Sequence, residues 1–139
     1  MEVKLCYPVI LISKEDEMIY VFCKDKDLKS SSVELLKEID FSKDDLIDST
    51  GCIYKIKRAY KVKYLGFLGF NPLLKGRQIQ IEFEYDKEVR KVNLDEFKQE
   101  IIRRIDETKW IWKSAWSIKE LKQRIMECDN ISEIVMLLK

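Results

Sequence analysis

Acidic residues at every second position are the first feature of this sequence that could support chemistry. They are Glu82, Glu84, Asp86 and Glu88. Alternate residues of a strand lie on one face of a sheet, and carboxylates gathered there could hold a divalent cation, as in a metal-dependent nuclease. Such a site also needs a positioned lysine and a more distant acid, and no motif in the chain supplies them. We therefore place a metal-dependent enzyme last among the candidate functions and predict no catalytic residue, metal site or cofactor.

Lysines alternate in the same way along the preceding segment. "YKIKRAYKVKY" places Lys55, Lys57, Lys61 and Lys63 on one predicted face, and Tyr54, Ile56, Tyr60, Val62 and Tyr64 on the other. This lysine row could bind phosphates or an acidic protein. It could equally be a solvated face whose charges pair with Glu82 and Glu84 on the next strand. Runs of charged residues more often form a solvated surface than a functional site, so the second interpretation is favoured.

All three tryptophans lie in "KWIWKSAWSIKELK", residues 109–122. Ser117 with Glu120 forms a capping box, which predicts that a helix begins there and that the tryptophans occupy an extended connector. Because an indole ring removes a large area from water, the connector should pack into the core, with Trp112 the deepest. An indole left exposed, Trp110 or Trp116, could anchor a protein partner or stack on a nucleic-acid base.

The segment "LGFLGFNPLLKG", residues 65–76, is more apolar than a surface loop usually is. Two interpretations stay open: it completes the core, or it is a partner-binding loop whose glycines allow rearrangement. On the second interpretation, the side chains in contact with the partner would be Phe67, Phe70 and Leu73.

The 139 residues include no histidine, which excludes Ser-His-Asp and Cys-His catalysis and zinc sites that need imidazole. The four cysteines (Cys6, Cys23, Cys52 and Cys128) match no paired metal spacing. Cys6 and Cys23 fall in apolar runs, where a thiol is usually a small buried hydrophobe. The N-terminus does not have the pattern of a signal peptide, and no run approaches about 20 apolar residues. These features predict a cytoplasmic protein with reduced thiols and no membrane association.

Composition bounds the class of protein. Hydrophobic residues make up 46% and charged residues 37%, as expected of a folded chain, and the length suits a single domain over residues 1–139. Twenty-six basic and 25 acidic residues leave a net charge of +1, which disfavours a strongly basic nucleic-acid binder.

Hydrophobic periodicity predicts strands in the first two thirds of the chain and helices at its end. Strands are predicted at 3–12, 18–23, 54–67, 77–85 and 89–94, with a tight turn at 48–51. Helices are predicted at 33–39, capped by Ser31 with Glu34, at 94–108, and after the caps Ser117 and Asn130. The predicted fold is therefore α+β: an antiparallel sheet of about five or six strands, a short helix in the N-terminal half and two or three C-terminal helices packed on the sheet.

Residues 18–57 carry a pattern of strand, short helix, acid pair and turn: "MIYVFCKDKDLKSSSVELLKEIDFSKDDLIDSTGCIYKIK". It resembles a loose set of small, mostly uncharacterised bacterial cytoplasmic proteins, some of which are immunity proteins of polymorphic or contact-dependent toxin systems. The chain departs from that pattern at Cys52 and at "DLID". The resemblance carries no functional residues, but it implies a non-enzymatic protein that binds a partner.

The function predicted from the sequence is therefore stoichiometric binding of a protein, with an immunity-type inhibitor that occludes a toxin domain as its form. The first alternative is a nucleic-acid-binding accessory domain that uses the lysine row and an exposed tryptophan. The predicted partner-binding residues are Phe67, Phe70, Leu73, Trp110, Trp116, Lys55, Lys57, Lys61 and Lys63. The sequence leaves the oligomeric state open.

Overall fold

An antiparallel sheet curled into a half-barrel is the framework of the protein. The computed structural model describes residues 3–32, 35–36, 40–65 and 78–139. Within them the strands are β1 (Val9–Ser13), β2 (Ile19–Phe22), β3 (Ser30–Ser32), β4 (Asp44–Ile47), β5 (Cys52–Tyr64), β6 (Gln78–Tyr85) and β7 (Arg90–Lys91). Their order across the sheet is β2-β1-β4-β5-β6-β3, and β7 pairs with β5. The predicted α+β class is confirmed.

Helices occupy most of the C-terminal part of the chain. The C-terminal helices are α2 (Leu94–Glu107), α3 (Lys109–Trp112), α4 (Ile118–Glu127) and α5 (Ile131–Leu138). The N-terminal half has one short helix, α1 (Asp25–Leu28), and a 3-10 turn at Phe41–Lys43. The predicted caps at Ser117 and Asn130 are confirmed, since each side-chain oxygen accepts a hydrogen bond from the backbone N–H three residues on. Asn93 caps α2 in the same way.

The sheet buries apolar side chains on both of its faces. On one face the long C-terminal helices pack against strands β1, β2 and β4; this core includes Ile10, Ile47, Ile101, Ile105, Leu121, Ile125, Ile134 and Val135. On the other face the curled sheet encloses a second core of Val9, Leu11, Leu28, Leu46, Ile56, Ile79, Ile81 and Phe83. The C-terminal helices therefore cover only one side of the sheet, and its own curvature encloses the other.

The face pattern predicted for β5 is wrong from Arg58 to Val62, because β-bulges interrupt its pairing with β6; the second bulge returns Tyr64 to the predicted face, opposite Ile79. The register shifts between Ile56 and Arg58, and again between Lys61 and Lys63. A bulge adds one unpaired residue, which moves every later side chain to the opposite face. Tyr60 and Val62, predicted to face the core, are consequently 41% and 48% exposed.

Two local predictions in the N-terminal half also need correction. Ser31 does not cap a helix but lies in β3 opposite Ile79, and the helix that the structure describes there begins earlier, at Asp25. Of the predicted helix at 33–39 only residues 35–36, which are helical, are described. Cys6 and Cys23, predicted to be buried, are exposed because both lie outside the paired strands.

The predicted turn at 48–51 is confirmed and ties the N-terminal segment to the sheet. The buried Asp48 carboxylate accepts hydrogen bonds from the backbone N–H groups of Cys6, Thr50 and Cys52 and from the Thr50 hydroxyl. Gly51 has φ +85°, and a Cβ there would lie 3.2 Å from Cγ1 of Ile131. Only glycine combines that backbone conformation with so close an approach.

Arg104, on α2, joins the helices to the β1–β2 hairpin. Its guanidinium is buried and donates hydrogen bonds to the backbone carbonyls of Ser13 (2.7 Å), Asp16 (3.0 Å) and Met18 (3.2 Å). A salt bridge of 2.8 Å to Glu100 balances its charge. One side chain therefore satisfies three carbonyls of a turn that has few partners of its own.

We expect Arg104→Met to lower the free energy of unfolding by about 2–4 kcal/mol, because it leaves those carbonyls without their donor. The neighbouring Arg103 is the matched control: it is about half exposed and pairs with Glu17 and Glu100 on the surface. Arg103→Met should cost less than about 1 kcal/mol. Urea unfolding followed by circular dichroism measures both changes, and equal losses would contradict the role given to Arg104.

Candidate functional site

The predicted lysine row does not form one face in the structure. Lys55 lies opposite Asp45 of β4 and is half-buried. Lys61 lies opposite Ile81, on the opposite face of the sheet, and its Nζ is 4.2 Å from the centre of the Tyr64 ring. The bulges that moved Tyr60 outward are the reason for this division. The predicted pairing of β5 with β6 is confirmed, although the cation opposite Glu84 is Arg58 (2.6 Å).

The two other lysines of the row are exposed. Lys57 lies 3.9 Å from Asp86 at the end of β6, and Lys63 follows the second bulge beside the partner residue Gln80. Beyond Lys55, the structure describes no strand that pairs with the β4 side of β5. Lysines at such an edge oppose the addition of a strand from another chain.

The tryptophan segment is helical where an extended connector was predicted. Residues Lys109–Trp112 form α3 after a break at Thr108, and the turn that follows still leaves room for the Ser117 cap. Trp112 and Trp116 are half-buried and pack against the core between the helices and the sheet. The Trp112 indole N–H donates to the Thr108 hydroxyl (3.2 Å), and the Arg124 guanidinium lies 5.6 Å from the centre of the Trp116 ring.

Trp110 has a different environment from its two neighbours. Its side chain is 68% exposed, the largest exposed fraction among the large apolar residues in the described part of the chain. The buried Thr108 precedes it and the packed Trp112 and Trp116 follow it, so the indole is presented on a held backbone. The remaining predicted partner-binding residues, Phe67, Phe70 and Leu73, lie outside the described residues.

The acidic run of β6 is occupied by cations. Glu82 pairs with Lys29 (3.2 Å), Glu84 with Arg58 and Asp86 with Lys57. The Arg58 guanidinium holds the pKa of Glu84 below its usual range. Over residues 3–32, 35–36, 40–65 and 78–139, no group of three or more acidic or cysteine side chains is arranged to hold a metal ion.

These ion pairs line a cleft of about 780 Å³ between the N-terminal segment and the ends of β5 and β6. Two tyrosines form part of its wall. Burial raises the pKa of Tyr54 to about 12, with nearby Asp48 and Cys52 adding to the effect, and burial also raises the pKa of Tyr85. Both phenols therefore stay protonated at neutral pH and cannot accept a proton as general bases.

A second cavity, of about 530 Å³, lies beside the end of β1 and the start of β4. We call it the acidic cavity. Its apolar wall consists of Leu11, Phe22, Leu28, Phe41, Ile81 and Phe83. Four carboxylates line it as well: Glu15, Asp16, Asp40 and Asp44. No lysine or arginine is among its described lining residues.

Asp44 is the buried member of this group, with 6% of its surface exposed. It is held in place at the start of β4, opposite Ser13 of β1. Burial raises the pKa of Asp44, the Ser13 hydroxyl lowers it, and the carboxylates of Asp16 and Glu15 raise it again. Asp40 also raises it. The negative charges of the cavity thus oppose one another.

Sequence reasoning missed the acidic cavity, although its acids were visible in two short polar stretches, "KEDE" at 14–17 and "DFSKDD" at 40–45. Each reads as an ordinary solvated turn. They meet because β1 and β4 are antiparallel neighbours with Ser13 paired to Asp44. Recognising β4 as a strand next to β1 would have been the signal that joins them.

The comparisons with known proteins supply no relative for this chain. No protein-family model matches it, and neither does any curated protein or solved structure. None of the helices in the described part of the chain has the length and apolarity that a bilayer span requires. Inference about function therefore depends on the surfaces described above.

We expect Asp44→Asn to raise the melting temperature at pH 7. A carboxyl whose folded pKa is raised costs no stability below its unfolded pKa of about 4, and the cost grows as pH rises through the folded pKa. The amide removes a charge that faces Glu15, Asp16 and Asp40. The stabilisation should consequently be near zero at pH 3 and increase toward pH 7.

Differential scanning fluorimetry of the wild type and Asp44→Asn between pH 3 and pH 7 measures this difference. Glu88→Gln, which changes an exposed carboxylate outside both cavities, is the control and should show no such trend. A melting temperature that Asp44→Asn lowers equally at every pH would show that the carboxylate stabilises the fold.

Proposed function

We propose that this chain is a cytoplasmic, non-enzymatic protein that binds a protein partner stoichiometrically, in the way that an immunity protein occludes a toxin domain. The observation that carries the proposal is the exposed Trp110 indole on a segment held by two packed tryptophans. Tryptophan is enriched among the residues that dominate binding energy at protein interfaces. Because the backbone of the segment is already held before binding, little backbone entropy is lost when the partner docks.

Other exposed apolar side chains support a protein partner. Tyr60 and Val62 face outward from β5, and the Arg58 guanidinium lies 5.2 Å from the centre of the Tyr60 ring. Aromatic residues and arginine are enriched at protein interfaces. Charged residues at the rim of an interface add specificity and raise the rate of association. On this proposal the exposed Lys57 and Lys63 contribute charge at the rim of the interface, whereas Lys61 lies on the opposite face.

The nucleic-acid alternative stays a prediction, and the divided lysine row gives it no continuous basic face. Titration of labelled single- and double-stranded RNA and DNA at 50 and 200 mM salt separates the two functions. Binding that weakens steeply with salt would favour nucleic acid over the protein partner.

Co-expression with the product of the adjacent gene tests the proposal. We expect the two proteins to co-purify, and Trp110→Ala to weaken the complex by about 2 kcal/mol, roughly 30-fold in Kd. Trp110→Ala should leave the melting temperature unchanged, because the indole is in water. Trp110→Phe should recover part of the affinity, and Met126→Ala, at a residue 56% exposed on α4, is the control for loss of an exposed apolar side chain.

Isothermal titration calorimetry gives the affinities, and an activity assay of the partner shows whether binding inhibits it. If the chain neither co-purifies with the adjacent gene product nor inhibits it, the immunity-type function is wrong. If the complex forms and Trp110→Ala binds as tightly as the wild type, the interface lies elsewhere.

A further inference from the structure

We propose that the acidic cavity receives a basic side chain, lysine or arginine, from a protein partner. The inference rests on the proposed function, because it specifies the chemistry of one contact that the partner makes. It concerns a different part of the molecule from Trp110, namely the cavity beside the end of β1 and the start of β4.

The size and lining of the cavity fit such a side chain. Its volume of about 530 Å³ lies within the range of pockets that bind ligands. Leu11, Leu28 and Phe83 provide apolar contact for the methylene groups of a lysine or arginine. These residues bury their stems readily when the charged end group finds a polar partner.

The charge of the cavity selects the end group. Asp44 lies buried in the wall, and the carboxylates of Glu15, Asp16 and Asp40 lie around the same space. Burial is the main cause of the raised pKa of Asp44, and repulsion from the three neighbouring carboxylates adds to it. A cation at this position would remove the repulsion and donate hydrogen bonds to the carboxylates, whereas an anion would add to the repulsion.

The surface at the mouth favours a protein over a free amine as the source of that cation. Tyr20 and Leu35 both line the cavity and are 42% and 47% exposed. They extend the apolar surface beyond the volume that one side chain can fill. A partner backbone or neighbouring apolar residues would cover them, which a small amine cannot do.

The test uses acetylated, amidated pentapeptides of sequence GLKLG and GLRLG with the full-length protein. A third peptide carries norleucine in place of lysine, so that it keeps the apolar stem and loses the charge. Backbone amide shifts of Tyr20, Phe41, Asp44 and Ile81 in nitrogen-15 correlation spectra report on binding at the cavity. n-Hexylammonium is the probe for a free amine.

We expect both basic peptides to shift these amides and the norleucine peptide to leave them unchanged. Asp44→Asn should weaken peptide binding about tenfold or more, because it removes a charge-assisted hydrogen bond. Glu15→Gln, at an exposed position of the rim, should weaken peptide binding a few-fold. It replaces Asp44→Asn as the test variant if Asp44→Asn alters the spectrum as a whole. Glu88→Gln should bind both peptides like the wild type.

Three results would overturn the inference. The first is equal binding of the norleucine and lysine peptides, which would mean that charge plays no part. The second is binding of n-hexylammonium without either peptide, which would assign the cavity to a small amine. The third is no shift with any probe. Because the peptides are tested without the natural partner, each of these results leaves the co-purification test of the proposed function unaffected.

Discussion

Removing two apolar faces from water is the constraint on which this structure depends. An antiparallel sheet commonly packs one face and leaves the other in solvent. Here Ile10 is buried on one face of β1, while Val9 and Leu11 are buried on the other. The helices α2, α4 and α5 cover only the first face. The second is enclosed by curvature, and the bulges of β5 are features that increase twist and allow a sheet to bend.

The curved sheet leaves a cavity at the end of β1, where Ser13 pairs with Asp44. The segments that reach this end are the β1–β2 turn and the chain that leads into β4. Turns are polar because they carry backbone groups that need water, and in this chain their polar residues are mainly acidic. The cavity with an apolar wall and acidic mouth is thus a consequence of the architecture. Its charge, however, is a property of this sequence.

The negative charge of the acidic cavity stands out when it is compared with the other buried charges of the protein. Arg104 donates to three carbonyls, Lys98 donates to the carbonyl of Met126 near the end of α4 (2.9 Å), and Asp48 accepts from four donors. Burial of a charge is costly unless partners compensate it. Asp44 differs, because the Ser13 hydroxyl lowers its pKa but the charged groups that act on it are other carboxylates. A cost that the fold does not require is often retained for binding.

The sequence predictions succeed where a feature is determined by residues close together in the chain, and fail where it depends on residues far apart. Helix ends at Ser117 and Asn130 are set by residues three apart, so the sequence predicts them correctly. The faces of β5 depend on bulges in its pairing with β6, more than 20 residues away, and alternation alone gave the wrong side for Tyr60. The prediction for the tryptophan segment was wrong for a related reason. A short helix fits between Thr108 and the Ser117 cap, and the spacing of the tryptophans did not distinguish it from an extended connector.

The acidic cavity is the extreme case of this dependence on long-range pairing. Neither "KEDE" nor "DFSKDD" differs from a solvated turn when taken alone, and only the pairing of Ser13 with Asp44 places them in one site. A search for motifs along the chain cannot find such a site, because its defining property is a repulsion between residues about 30 positions apart. The pairing of strands, combined with the charge at their ends, is the level at which it can be recognised.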